Sequence, residues 1–305
     1  IKTHKTKEGN DLLLAAGITK FKCATIAEAE LLALSEAPDV LISMQLIGPN
    51  LDRFKELVTH YPRTKFSSIV DDAFASSELN RIFTDLSAGV FVDLNMGMNR
   101  TGILPAKALA LIQHIETLPN VTLRGLHAYD GHIRDKVYED RVKHVETDFT
   151  SFYKLLERLN RSDLELVVSG TPSFLVHHKN PQFTCSPGTF IFFDAGYAAL
   201  FPENTFEFGV EIIARIISKP TDTTICLDLG HKSVAAENPT APRCSCSRGI
   251  RPTSPAASPR RCRAAPSSRP RASPGPPSAA GAPPPRSPRR CTASWHERVG
   301  MSELA

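Results

Sequence analysis

The chain has 305 residues and a formal net charge of +4, enough length for one large domain or two of medium size. The charge is unevenly held: from Pro239 onward 12 Arg stand against only Glu297 and Glu303, a net +10, while residues 1–238 hold 24 basic and 30 acidic residues, a net −6. An acidic body argues against nucleic acid as its main partner, and no apolar run is long enough for a membrane span or resembles a secretory signal, so a cytoplasmic location is expected.

The chain opens on Ile1-Lys2-Thr3-His4-Lys5-Thr6, which reads as the end of a first β-strand spilling into a polar loop. It opens in mid-strand and without a methionine, so a preceding segment is expected. Residues 11–16 form a short apolar helix stopped by Gly17, and 19–23 form strand two. Thr25-Ile26-Ala27-Glu28 is a capping box that opens a helix through 35. Strand three covers 39–47 and ends at Gly48-Pro49; a helix over 51–61 and strand four over 64–70 follow. Asp71 and Asp72 cap a helix running to about residue 87. Strand five covers 89–94, with the loop Asn95-Met96-Gly97-Met98-Asn99-Arg100-Thr101-Gly102 after it, and Pro105 starts a helix with an apolar face over 106–118. Strand six covers 121–128 and is followed by Tyr129-Asp130-Gly131-His132 and a long amphipathic helix over 134–159. Strand seven covers 164–168, with the loop Ser169-Gly170-Thr171-Pro172-Ser173. After a short connection, Pro187-Gly188-Thr189 leads into an apolar strand eight at 190–193.

Strands alternating with helices, and apolar almost throughout, imply a parallel sheet buried on both faces. Eight such units predict an α/β fold, a closed (β/α)8 TIM-type barrel over residues 1–209. The polar, glycine-rich clusters all follow strands, which places them at the C-terminal ends where barrel enzymes keep their chemistry. From residue 210 the alternation stops: 211–218 and 223–229 read as two β-strands, the start of a separate β-domain over 210–238. Residues 239–305 hold 14 of the 24 prolines and, after Ala241, no Phe, Tyr, Asp, Asn, Gln or Lys. Such a tail cannot bury a core and is expected to be disordered. Its composition fits GC-rich coding DNA read out of frame, with the break just after Asp228-Leu229-Gly230-His231-Lys232, better than it fits an acid-binding arm. Cys23, Cys185 and Cys226 read as reduced core thiols, whereas Cys244-Ser245-Cys246 in the tail lacks partners at zinc-ligand spacing.

Lys2, Arg100, Tyr129 and Gly170-Thr171 would converge at the barrel mouth. A lysine at a strand end is commonly a solvated rim residue; its functional alternative is a Schiff-base lysine holding pyridoxal phosphate, with His4 and Lys5 as cationic neighbours that lower its pKa. Ser169-Gly170-Thr171 and Pro187-Gly188-Thr189 offer backbone N–H groups beside hydroxyls, after the strands where barrels bind phosphate, although small residues in loops are usually plain turns. Arg100 could donate to a cofactor's phenolate oxygen or pair with Asp93. Tyr129 could pack on a flat cofactor ring, with His132 beside it, or cap the barrel with its hydroxyl in water.

These residues carry a resemblance. Lys2-Thr3-His4-Lys5, Cys23-Ala24-Thr25 with Glu28-Ala29-Glu30, Gly97 to Gly102, Gly125-Leu126-His127-Ala128-Tyr129-Asp130-Gly131-His132, Ser169-Gly170-Thr171-Pro172, Pro187-Gly188-Thr189 and Asp228-Leu229-Gly230-His231-Lys232 resemble the low-specificity D-threonine aldolase and D-serine dehydratase family. The resemblance runs from Ile1 to about Asn238. It implies an alanine-racemase-like barrel with pyridoxal phosphate on Lys2, the cofactor ring at Arg100 and Tyr129, and its phosphate at Gly170 and Thr171; the reading of the two loops adds Ser169, Gly188 and Thr189 to the phosphate end. It further implies a lyase of D-amino acids: an aldolase releasing glycine and an aldehyde, or alternatively a dehydratase converting D-serine to pyruvate and ammonia. A non-catalytic pyridoxal-phosphate carrier is the rival from another class. The partner would be a small D-amino acid, with a homodimer as an admissible assembly. The family also uses a divalent metal, manganese or zinc, held late in the β-domain by a His followed two residues later by Asp or Cys. His296 is followed by Glu297-Arg298 instead, so no metal ligand is carried over and little aldolase activity is expected from the chain as given.

Overall fold

Hydroxyl and carboxylate side chains set the helix starts. In the structure, a computed structural model that describes residues 1–230, Thr6 Oγ1 accepts from Gly9 N–H (3.3 Å) and opens α1, Lys7–Ala15. After β1, Lys20–Cys23, Thr25 Oγ1 accepts from Glu28 N–H (3.1 Å) to open α2, Ile26–Leu34. The Glu28 carboxylate reaches back to Ala24 N–H (2.7 Å), one residue before the usual partner in a capping box. β2, Asp39–Gln45, leads to α3, Pro49–His60, with proline at its first position. β3, Lys65–Val70, leads to α4, Ala73–Ile82, where Asp72 accepts from Ala75 N–H at 2.7 Å. β4, Ala88–Asn95, is followed by α5, Pro105–Glu116, and then by β5, Val121–Tyr129. The helix expected over 134–159 is two, α6, Tyr138–Asp148, and α7, Thr150–Leu159, joined at the buried Phe149. β6, Glu165–Val168, α8, Phe174–His177, β7, Phe183–Cys185, and α9, Ala195–Leu200, complete this part.

All seven strands run parallel and pair in sequence order, β1 to β7. The sheet curls far enough for its two ends to meet through side chains. Lys20 of β1 reaches Glu165 of β6 (2.8 Å), and Arg124 of β5 grips Asp39 of β2 (2.9 and 2.6 Å). Above these ions lies an apolar layer of Leu41, Ile69, Phe91 and Val167, contributed by β2, β3, β4 and β6. The larger core, including Phe54, Phe83, Leu111, Ile115 and Phe152, fills the space between the outer face of the sheet and the helices. The fold is therefore a curled half-barrel.

The expectation of eight strands is corrected to seven. Residues 1–4 form a turn: the Ile1 carbonyl accepts from His4 and Lys5 N–H (3.1 and 2.9 Å), and the stretch meets β1 only where the Ile1 amine donates to Lys22 O (3.2 Å), too little for a ladder. Residues 190–193 wind as well: Thr189 O accepts from Phe192 and Phe193 N–H (both 3.1 Å), and Phe190 and Phe193 pack on Phe206. A four-residue apolar run has no periodicity to distinguish strand from helix. The last strand is instead β7, inside the stretch read as a connection and only three residues long.

The chain divides into two compact units, Ile1–Glu211 and one from Ile212 onward. In the second, β8, Ile216–Thr221, pairs antiparallel with β9, Thr224–Leu227; β9 lies inside the strand expected over 223–229, whereas β8 starts five residues later than the strand expected over 211–218 and runs past its end. The expected disordered tail and the frame break after Lys232 lie outside the described residues.

Candidate active site

The loop after β4 is built to hold Arg100 still. Asn95 Oδ1 accepts from the N–H groups of Gly97 and Asn99 (both 3.1 Å), and Asn95 Nδ2 donates to Asn99 Oδ1 at 3.0 Å. Thr101 Oγ1 donates to Asp93 Oδ2 (2.8 Å), and Gly102 N–H donates to Asp71 Oδ2 (2.9 Å). Gly102 has φ +101, and a Cβ there would stand 2.6 Å from Asn95 N, so only glycine lets the loop fold back on its strand. The Arg100 guanidinium comes to rest 5.3 Å from the Tyr129 ring centroid. It has no ion-pair partner among the described residues: Asp93, the expected partner, is held by Thr101 and His127.

Tyr129 ends β5, and glycines wall its ring: a Cβ at Gly131 would overlap it, and one at Gly170 would lie 3.1 Å from Cε2. Beside it the buried Asp130 accepts from Gly170 N–H (3.1 Å) and Ser173 Oγ (2.7 Å), and its Oδ2 lies 2.7 Å from His177 Nε2. This carboxylate shapes the loop after β6. It also engages the Gly170 N–H expected to be open to a phosphate, and Thr189 N–H is likewise engaged by Thr171 Oγ1 (3.1 Å). The expectation of freely exposed N–H groups at these two positions is corrected. What remains open is hydroxyl and space. Ser169 Oγ is buried without a well-aligned hydrogen-bond partner among the described residues, having only the weakly accepting Cys185 thiol beside it. A Cβ on Gly188 would meet only Thr3 Oγ1, at 3.7 Å.

Lys2 lies exposed on the turn beside Gly188. Neither expected cation serves it: Lys5, at φ +51, pairs with Glu28 at 3.2 Å, and burial pushes the His4 imidazole toward its neutral form. The nearby cation is Lys22, a residue the sequence reading passed over as part of a strand. Its amine donates to Ser186 Oγ (2.6 Å), lies 3.3 Å from His127 Nε2 and stands 5.2 Å from the Tyr129 centroid. His127 Nδ1 is 2.7 Å from Asp93 Oδ1, and burial, reinforced by Lys22, lowers the imidazole's pKa. A neutral ring donating from Nδ1 to Asp93 leaves Nε2 to accept from Lys22, so one chain of hydrogen bonds runs from Asp93 to Ser186 beneath Tyr129. The alternating lysines of Lys20-Phe21-Lys22 were its only trace in sequence.

Burial lowers the Lys22 pKa from 10.5 to about 8, with Arg100 and Lys2 adding to the push against Asp130 and Asp93. Below pH 8 the amine is charged in folded and unfolded chains alike and adds no pH slope. Between about 8 and 10.5 the folded chain releases a proton that the unfolded chain keeps, so stability should rise with pH. The full gain is on the order of 3 kcal/mol, an upper figure because part of the side chain stays solvated. Urea unfolding of wild type and Lys22→Met at about pH 7.5 and 10 should show wild type gaining on the variant at the higher pH. Identical pH dependence would contradict the enclosed, depressed amine.

Comparison with known proteins places the fold. The family of the alanine racemase N-terminal domain matches residues 3–196. The chain is 28% identical over 247 residues to a D-threonine aldolase from Arthrobacter sp., covering 77% of this chain and 64% of that one. It is 25% identical over 175 residues to an alanine racemase from Treponema pallidum, covering 56% and 45%. The chain thus spans less than two thirds of the length of these relatives. Among solved structures, D-threonine aldolase from Filomicrobium marinum superposes with a TM-score of 0.69 at 24% identity, covering 77% of this chain and 66% of that one. D-threo-3-hydroxyaspartate dehydratase from Delftia sp. HT23 does so with 0.56 at 17%, covering 66% and 55%, and shares the fold. With the family matching well over half of its length, the chain belongs to the family of the alanine racemase N-terminal domain.

Proposed function

We propose that the barrel binds pyridoxal phosphate through Lys2 and serves a lyase of D-3-hydroxy amino acids, of the D-threonine aldolase type. Family membership implies this cofactor, and the residues present suit it. Lys2 offers a primary amine, Arg100 a guanidinium without a carboxylate partner among the described residues, and Tyr129 a ring face. The buried Ser169 hydroxyl, the hydroxyls of Thr171 and Thr189 and the open space over Gly188 suit the phosphate end, where Gly170 contributes its lack of a side chain and not its N–H. The observation that carries the reading is the meeting of Lys2, Lys22, Arg100 and Tyr129 at one end of the sheet.

When bound, pyridoxal phosphate supplies a carbonyl for condensation with an amine and an electron-withdrawing ring that stabilises negative charge at Cα. The chain's own residues do the rest. Lys2 Nζ would hold the cofactor, and as a free amine it would carry a proton to or from the carbon beside it. Arg100 and Lys22 hold positive charge 5.3 and 5.2 Å from the centre of the Tyr129 ring, where developing negative charge would be stabilised. The Asn95 and Asp93 contacts keep Arg100 from following solvent.

The test is incubation with the cofactor and D- or L-threonine in deuterated water. The expected result is deuterium entry at Cα of the D-isomer alone, with glycine and acetaldehyde as products wherever cleavage follows. Formation of 2-oxobutanoate and ammonia would transfer the protein to the dehydratase branch. A bound cofactor with no exchange from any D-amino acid would leave the carrier reading.

A further inference from the structure

Three side chains at the same end of the sheet as Arg100 and Tyr129 come together in a way the proposed function does not use. His132 follows β5, and His144 and Asp148 stand one turn apart on α6, so both face the same side of the helix. His132 Nε2 lies 2.7 Å from Asp148 Oδ2, His144 Nε2 lies 3.6 Å from the same oxygen, and the three atoms are all within 4.8 Å of one another. We propose that His132 Nε2, His144 Nε2 and Asp148 Oδ2 form a binding site for one divalent transition-metal ion of the zinc class.

The lone pairs decide what this cluster can bind. His144 Nδ1 is 2.8 Å from Asp135 Oδ2, and that carboxylate can only accept, so Nδ1 carries the hydrogen. A neutral His144 then presents its Nε2 lone pair to the Asp148 carboxylate, an arrangement favourable only with a cation or a proton between them. A carboxylate orienting one imidazole nitrogen so that the other can ligate is the usual outer-shell pattern of metal-bound histidine. Two imidazoles and one carboxylate suit zinc, cobalt or nickel better than calcium or magnesium, which prefer all-oxygen shells. Tetrahedral ligands about 2.0–2.1 Å from zinc stand about 3.4 Å apart. The 2.7 and 3.6 Å separations bracket that value, so small side-chain rotations suffice. Ligation through Nε2 would move the hydrogen that His132 shares with Asp148 onto Nδ1, so that the imidazole stays neutral, and would leave a fourth position for water.

The site has a structural consequence. Gly97, at φ +114, lies against the pair: a Cβ there would stand 2.7 Å from His132 Nε2 and 3.1 Å from Asp148 Oδ2. Gly97 belongs to the loop that carries Arg100, so an ion here would tie that loop, the β5–α6 connection and α6 to one point.

The experiment titrates the full chain with Co²⁺ and Zn²⁺, after removal of metals and without added cofactor, so its outcome does not depend on the proposed reaction. One equivalent of Co²⁺ should give tetrahedral-type visible bands without a thiolate charge-transfer band, and Zn²⁺ should displace it. His144→Ala, at a half-exposed helix position, should bind at least tenfold more weakly while keeping the wild-type circular dichroism, and Asp148→Asn should do likewise. His60→Ala, at the far end of α3, should bind as wild type does. A thiolate band, equal binding by wild type and His144→Ala, or no stoichiometric binding at all would each overturn the proposal.

Discussion

Gly125→Ala is expected to leave the barrel largely unfolded at 37 °C. Gly125 on β5 pairs with Glu165 on β6, and a Cβ there would overlap the Glu165 carbonyl oxygen and lie 2.7 Å from its carbon and 2.9 Å from its nitrogen. The clash is with backbone inside a parallel ladder, so no rotamer change relieves it. The strands must separate, losing pairing that also sets Ser169 four residues further along. Overpacking against side chains costs about 1–3 kcal/mol. Separating two ladder strands exceeds that and approaches the roughly 5–15 kcal/mol that holds a typical domain together. Gly17→Ala supplies the contrast: its φ of +87 is strained for alanine, but nothing lies within 4 Å, so about 1–2 kcal/mol is expected. Thermal melts followed by circular dichroism would decide it. A melting temperature for Gly125→Ala within a few degrees of wild type would show that β5 and β6 are not so closely paired.

Lys2→Ala is expected to abolish covalent cofactor attachment and to lower Cα exchange from D-threonine by at least about a thousandfold. That factor corresponds to about 4 kcal/mol of barrier, the scale of losing an anchoring nucleophile together with a positioned proton carrier. Lys22→Met should behave differently. Its amine is tied to Ser186 and His127 rather than presented at the mouth, so attachment should survive while exchange slows about ten- to a hundredfold. Absorbance of bound cofactor and deuterium incorporation separate the two effects. Loss of attachment in Lys22→Met but not in Lys2→Ala would reverse the two roles.

Much of this architecture was legible because it is local. The capping box at Thr25, Pro105 at a helix start, and the apolar strands each mark an element without reference to the rest of the chain, whereas Pro49, read as the end of a strand, is the first residue of α3. The loop after β4 was legible too, since its glycines and asparagines hydrogen-bond within a few residues. The two ends of the sheet were not. Ile1 to His4 turns because of which carbonyl Ile1 offers, and 190–193 winds because its phenylalanines find Phe206, a choice made by packing. Long-range polar contacts were the least visible. Lys22 joins His127 across 105 positions and Ser186 across 164, and Asp130 draws Gly170 N–H out of reach from 40 positions away. The His144 and Asp148 spacing was readable as one helical face, but His132 reaches them only through the path of the β5–α6 connection.

The central claim is that Lys2, and not the neighbouring Lys22 or Lys5, carries the cofactor. Reduction with borohydride after loading with pyridoxal phosphate, followed by peptide mass mapping, tests it most directly. A single phosphopyridoxyl mass is expected on the peptide containing Lys2, absent from Lys2→Ala. The label on Lys22 or Lys5, with Lys2 unmodified, would contradict it.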